Sequence, residues 1–335
     1  MDRAVTVAFL SMALAIAGCG ADRTSAPSIP AGASLEITVH NLGPLPPGVG
    51  RFDMWVRDRN GQAYYLGPLA PDGGVVLRTS PIHEPVAIEV TFEPLSDSDG
   101  VPSQHVVLKG RFVAGRAGLS VRGALTAGDL PLRERPGQFT MFTPSDNAVN
   151  GYPSHEESGV WLFNMAPRET PQNDTWVRLT QLTPGWVYEG WMVRDMGKPG
   201  EIWLSYGKFR PDASGAVNSR DDTGWGPFSG VLDFLTAGEE EFPGDDWISN
   251  PLGLPLPPGV VLPLDLRERD SEGRFRWTHV ITVEPSSDIG EPLTQERPFV
   301  IRPYRDPFGD GGPGVPRTIT YRLDAVPYGQ VIWLR

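Results

Sequence analysis

The chain is expected to be all-β, folding as two tandem Ig-like antiparallel β-sandwich domains, the second with a long loop insertion. Three observations predict this. First, 39 glycines and 35 prolines are spread through 335 residues, and helix interiors tolerate neither. Second, short β-branched and aromatic runs sit between these breakers, at the spacing of sandwich strands. Third, three blocks recur in the same order in two halves of the chain, as when one supersecondary unit is used twice.

The strand runs are direct. Leu35-Glu36-Ile37-Thr38-Val39, the run 86–92 and Thr318-Ile319-Thr320-Tyr321-Arg322-Leu323 each read as a strand. In the run 86–92, Val86, Ile88, Val90 and Phe92 alternate with Ala87, Glu89 and Thr91, the period of a half-buried strand.

The repeated blocks define the organisation. Phe52-Asp53-Met54-Trp55 parallels Tyr188-Glu189-Gly190-Trp191. Tyr65-Leu66-Gly67-Pro68-Leu69 parallels Ser205-Tyr206-Gly207-Lys208-Phe209. Val90-Thr91-Phe92-Glu93-Pro94 parallels Ile281-Thr282-Val283-Glu284-Pro285. The expected division is a first sandwich over 34–135 and a second over 136–335, with an insertion at about 225–276 that is rich in Gly, Pro and acid. Leu254-Pro255-Leu256-Pro257-Pro258-Gly259 echoes Gly43-Pro44-Leu45-Pro46-Pro47-Gly48 and reads as a recurring Pro-rich turn.

Cys19 is the only cysteine, and it closes an apolar run after Arg3 that ends Ile16-Ala17-Gly18-Cys19. That run is too short for a permanent transmembrane helix. The arrangement resembles the signal peptide and lipobox of bacterial lipoproteins, which implies cleavage before Cys19 and lipid on its sulfur. Residues 1–18 are then the signal peptide and 19–33 a polar, Pro-containing tether. Acyl chains such as palmitate would provide a membrane anchor at about 0.8 kcal/mol per buried methylene. By the same resemblance, Gly20 directly after the cysteine favours the outer-membrane face over the inner. With Cys19 lipidated, no intrachain disulfide can form, and stability rests on packed core.

The repeated blocks also resemble the extracytoplasmic C-terminal domain of anti-sigma-K factors. In that β-sandwich family an aromatic-x-x-Trp strand is followed by a Leu-Gly or Gly-Phe turn, and later by a strand running into Glu-Pro. Here these are Trp55, Leu66-Gly67 and Glu93-Pro94, then Trp191, Gly207-Lys208-Phe209 and Glu284-Pro285. The resemblance implies the fold and a sensing or binding role outside the cytosol. The family's cytoplasmic helical segment and membrane span are not expected in this sequence, so sigma-factor sequestration is not carried over.

A formal charge of −12 and a pI near 4.9 argue against nucleic acid as a partner. The expected partners are the membrane, through the lipid, and an envelope protein or ligand. No Gly-x-Ser-x-Gly elbow, His-Glu-x-x-His motif or phosphate-cradling loop is present. His40, His83, His105, His155 and His279 are scattered and read as surface or satisfied polar residues. Asp97-Ser98-Asp99-Gly100 begins like a calcium loop but lacks the distal bidentate Glu. Glu239-Glu240-Glu241, Asp245-Asp246 and Asp221-Asp222 could gather one Ca²⁺, although a solvated acidic loop without a cofactor is the favoured reading.

Most of the 10 tryptophans sit in apolar runs that point to a sandwich core, among them Trp55, Trp161, Trp203 and Trp333. Trp225 and Trp247 lie among Gly, Asp and Pro and are the expected ligand-facing aromatics. The favoured class is a non-enzymatic binding or sensing lipoprotein. An envelope structural or assembly protein docking through β edges is the alternative, and a hydrolase with a dispersed site comes third.

Overall fold

The computed structural model of the chain describes residues 30–70, 74–143, 155–162, 177–217, 244–248, 256–286 and 298–334. The first repeat contains β1 (Ser34–His40), β2 (Gly50–Arg57), β3 (Ala63–Leu69), β4 (Val76–Thr79), β5 (Ala87–Pro94), β6 (Val106–Arg111), β7 (Arg116–Leu119) and β8 (Gly137–Phe139). The second contains β9 (Gly159–Trp161), β10 (Trp186–Arg194), β11 (Ile202–Phe209), β12 (Gly244–Asp246), β13 (Trp277–Pro285), β14 (Ile301–Pro307), β15 (Arg317–Ile319) and β16 (Tyr328–Leu334). The strand pairings are antiparallel, and the architecture is the all-β sandwich pair that the breakers and alternating runs predict. No described helix is long and apolar enough to cross a membrane.

The two repeats match strand for strand. The sheet β3-β2-β5-β6 has its counterpart in β11-β10-β13-β14. Both contain a bulge at the same place, between Met54 and Trp55 and between Gly190 and Trp191. The bulged turn needs positive φ, and Gly67 (φ 120°) and Gly207 (φ 111°) supply it. Opposite the second bulge, the Tyr206 ring fills the space beside Gly190, where a Cβ would lie 1.7 Å from the ring. Glycine is therefore required there although its own backbone is an ordinary strand.

The second layer of the first sandwich carries a departure from the expected division at residue 136, whereas β8, which follows β7 in the strand order of the first repeat, is seated in the second sandwich on the side of that boundary expected for it. In the first, the order is β4-β1-β16-β7. The C-terminal strand β16 therefore lies between β1 and β7, with seven registered pairs to β1 and four to β7. In the second, β12 pairs with β9 and β15 with β8. The two pairs are joined by Thr140, which exchanges 2.9 Å hydrogen bonds in both directions with Trp161. The order there is β12-β9-β8-β15. Each eighth strand is seated in the other repeat. The edges that it shares with the flanking strands are satisfied by this exchange.

Alternation fills the space between layers. Leu35, Ile37 and Val39 of β1, Ala117 and Leu119 of β7 and Val331 of β16 meet Phe52, Met54, Val56, Ile88, Val90 and Phe92 from the opposing sheet. This core runs on into the second repeat. Phe299 packs edge-on against Phe92 at 5.1 Å and Phe52 at 6.3 Å, and lies 5.6 Å from Trp186. The run beginning at Thr318 is shorter as a strand than expected. β15 ends at Ile319, Tyr321 makes one isolated bridge to Tyr304, and a 3₁₀ turn starts at Leu323.

Ending the chain at Val326 removes β16, and hydrogen exchange is expected to lose protection at β1 and β7, far away in sequence. Loss confined to β14 and β15, with β1 still protected, would contradict the exchanged arrangement.

Candidate functional site

Successive side chains of a strand point to opposite faces. With Phe52, Met54 and Val56 in the core, Arg51, Asp53, Trp55 and Arg57 face outward on β2, and Glu89, Thr91 and Glu93 do so on β5. Trp55 is thus buried, as expected, but against the outer face of its sheet rather than within the sandwich core. The outward face of this sheet is not simply solvated. Asp53, Thr91 and Glu93 are all buried.

A chain of hydrogen bonds holds them. The Trp55 indole N–H donates to Thr91 Oγ1 at 2.8 Å, and the Thr91 hydroxyl donates to the Glu93 carboxylate. Ser103 N–H approaches both Glu93 oxygens, at 3.1 and 3.2 Å. A hydroxyl has one proton, so donating to the acid commits the only donor of Thr91 while its oxygen accepts from the indole. Burial pushes the Glu93 carboxyl above its usual range, although the Thr91 and Ser103 bonds oppose that shift. Beside it, Arg51 Nε donates to Asp53 Oδ2 at 2.8 Å and the Tyr65 hydroxyl lies 3.4 Å from Asp53 Oδ1. Partial burial, and then the Asp53 charge, raise the Tyr65 hydroxyl's pKa.

These groups floor and wall a cleft of about 260 Å³ lined by Arg51, Asp53, Trp55, Tyr65, Glu93 and the loop residues Asp97, Gly100 and Val101. The Tyr65 ring stands at the mouth, 49% exposed, tilted against Trp55 at 5.0 Å. Arg51 shares the mouth with its side chain 50% exposed.

The second repeat has the same scaffold with different surroundings. Trp191 Nε1 donates to Thr282 Oγ1 at 3.0 Å, Thr282 bonds Glu284, and Phe299 N–H donates to Glu284 at 2.7 Å. Glu189 stands where Asp53 does and accepts from Ser205 Oγ at 2.7 Å. By strand register, Val187 replaces Arg51 and Ser205 replaces Tyr65, and both are buried. Burial, and then the neighbouring Glu189, lift the Glu284 pKa to about 8.

The residues singled out from sequence fall elsewhere. Cys19 and Trp225 lie outside the described residues, as do Asp221, Asp222 and Glu239 to Glu241. Trp247, expected on a ligand-facing loop, is fully buried in the common core. Its amide bonds Ser158 and its carbonyl accepts from Leu264, which carry the ring inward just past β12. The Asp97–Asp99 loop spends carboxylates on its own backbone. Asp97 Oδ1 accepts from Asp99 N at 3.4 Å and Asp99 Oδ1 from Val101 N at 2.9 Å. Asp246 is buried and accepts from the Trp161 indole at 3.0 Å. No group of three or more His, Cys, Asp or Glu able to hold a metal occurs among the described residues.

Two histidines are buried rather than on the surface. His105 is wedged edge-on between Phe92 and Trp186, neither ring nitrogen having a hydrogen-bond partner. His279 lies against Phe139, 2.9 Å from the Tyr206 hydroxyl. Sequence reasoning missed the Arg51–Asp53–Glu93 cleft. Its signal was an acid two residues before each repeated Trp and another before each repeated Pro. The chain matches no family model, no curated protein and no solved structure.

Two of the buried titrating groups, Glu284 and His279, act on opposite pH limbs. Glu284 keeps its proton from its ordinary 4.5 up to about 8 in the fold. The unfolded chain releases that proton sooner, so stability should fall as pH rises through that window. Burial lowers His279 from 6.5 to about 3, so stability should also fall as pH drops below 6.5. Each limb has a slope of up to about 1.4 kcal/mol per pH unit. In urea titrations, Glu284→Gln is expected to flatten the alkaline limb alone; an unchanged limb would show that Glu284 is not its source.

Proposed function

We propose that this chain is an extracytoplasmic lipoprotein of the bacterial cell envelope, anchored by lipid on Cys19, whose interlocked sandwiches form a non-enzymatic binding or sensing module. The cleft of the first repeat carries the binding part of this reading. Its exposed Tyr65 and Arg51 stand over a rigid, hydrogen-bonded floor, whereas the equivalent positions of the second repeat are buried. A preformed concavity with few, fixed polar groups suits ligand capture.

The non-enzymatic part rests on what the carboxylates already do. Glu93 and Glu284 hold the same bonds to a Thr and to a loop N–H in both repeats. A general acid or base must instead exchange its proton with substrate. The anchor rests on the lipobox-like run at residues 16–19. The likeness of the repeated blocks to the anti-sigma-K extracytoplasmic domain supports a sensing role at the membrane's outer side.

Metabolic labelling with an alkyne palmitate analogue should mark the wild-type chain and leave Cys19→Ser unlabelled and released from membranes. Label on Cys19→Ser, or none on the wild type, would contradict the anchor. For the binding role, a thermal-shift screen of polyols, amines, peptides and anions against the full chain is expected to find a stabilising compound whose effect depends on Tyr65. The absence of stabilisation by any class would contradict it.

A further inference from the structure

We propose that the cleft of the first repeat recognises a single neutral sugar residue, free or at the end of a glycan, with Tyr65 stacking on the ring and Arg51, oriented by Asp53, donating to its hydroxyls. This inference rests on the binding reading above and adds the ligand's chemical class.

Size argues first. At about 260 Å³ the cleft falls just below the roughly 300–1,000 Å³ of drug-sized ligand sites, which suits one pyranose-sized unit and excludes a long peptide segment. The wall is the second point. The half-exposed Tyr65 ring, braced by Trp55 at 5.0 Å, offers a flat apolar face at the mouth, and the C–H face of a sugar ring covers such a surface well.

The polar groups supply the third point. Arg51 Nε is committed to Asp53, while its two terminal nitrogens still carry N–H groups. Asp53, itself buried, orients that guanidinium from below. The terminal N–H groups are then donors held at the half-exposed mouth, where ring hydroxyls can accept from them.

The obvious competitor is a cation, drawn by Asp53, Glu93 and Asp97 and by the aromatic walls. Arg51 opposes it, since its guanidinium already neutralises Asp53 at the mouth. Glu93 is buried and already spends its oxygens on Thr91 and Ser103. A neutral, hydroxyl-rich ligand meets no such repulsion.

Comparison of the two repeats gives the independent support. The scaffold Trp, Thr and Glu occur in both, but Arg51 and Tyr65 are replaced by Val187 and Ser205 in the second. Both mouth residues are thus particular to the first repeat, and neither belongs to the Trp–Thr–Glu scaffold.

The full chain, purified from membranes in a detergent without a sugar headgroup, would be applied to an array of neutral mono- to tetrasaccharides, with spermidine and choline as cation probes in calorimetry. A neutral glycan is expected to bind, and Tyr65→Ala and Arg51→Ala should each weaken it by about tenfold or more. Tyr65→Phe keeps the ring and should keep most of the affinity, which separates stacking from loss of structure. No glycan binding overturns the inference, as does glycan binding that Tyr65→Ala leaves unchanged. Tyr65-dependent binding of spermidine or choline alone overturns the sugar assignment while leaving the binding module standing.

Discussion

The reciprocal exchange of eighth strands governs the rest of this structure. A sandwich layer with its middle strand missing would leave two rows of backbone N–H and C=O groups facing each other unpaired, a cost that no side-chain packing offsets. β16 closes that gap in the first repeat and β8 closes it in the second. The repeats consequently share one core, sewn by Phe299, Phe92 and Trp186. They are two sandwiches by architecture and one unit by connectivity.

That interlock explains how a shallow cleft can be rigid. The floor residues Asp53 and Glu93, with Thr91 that bonds Glu93, lie on the two central strands of a sheet whose inner face is clamped by the shared core. Their outer face is then held by the Trp–Thr–Glu chain. Leaving a buried indole or carboxylate unpaired costs about 1–3 kcal/mol or more, so the network persists as a whole. With the Trp–Thr–Glu scaffold common to both repeats, the exposed Arg51 and Tyr65 of the first give way to the buried Val187 and Ser205 of the second. Duplication supplies the scaffold, and local substitution supplies the difference.

Much of the fold was legible in the sequence because it depends on local pattern. Breakers and alternating runs placed β1 and β5, and the paired blocks placed β2 and the counterpart strands, while the bulges came only with the register. The exchange was not legible. Val331-Ile332-Trp333-Leu334 reads as a strand, but nothing local says that its partner is the run at Leu35 rather than the nearer strand at Thr318. Trp247 misled for the same reason. Its neighbours Asp246 and Asp245 suggest a surface loop, whereas a strand pairing with β9 and the bond to Ser158 carry the ring inward. The cleft was half visible. The acids recur in the blocks, but only the register shows Arg51, Asp53 and Tyr65 converging beside Glu93.

The interlock is tested most directly by a cysteine pair at Thr38 and Gln330, which face each other across β1 and β16. Directly opposed antiparallel residues have Cα atoms about 4.5–5.5 Å apart, within the roughly 4.4–6.8 Å range of disulfides. Mild oxidation of Thr38→Cys/Gln330→Cys should give an intramolecular disulfide joining the two ends of the folded chain, resolved by peptide mass after proteolysis. Free thiols, or a bond formed only between two chains, would contradict the exchanged fold.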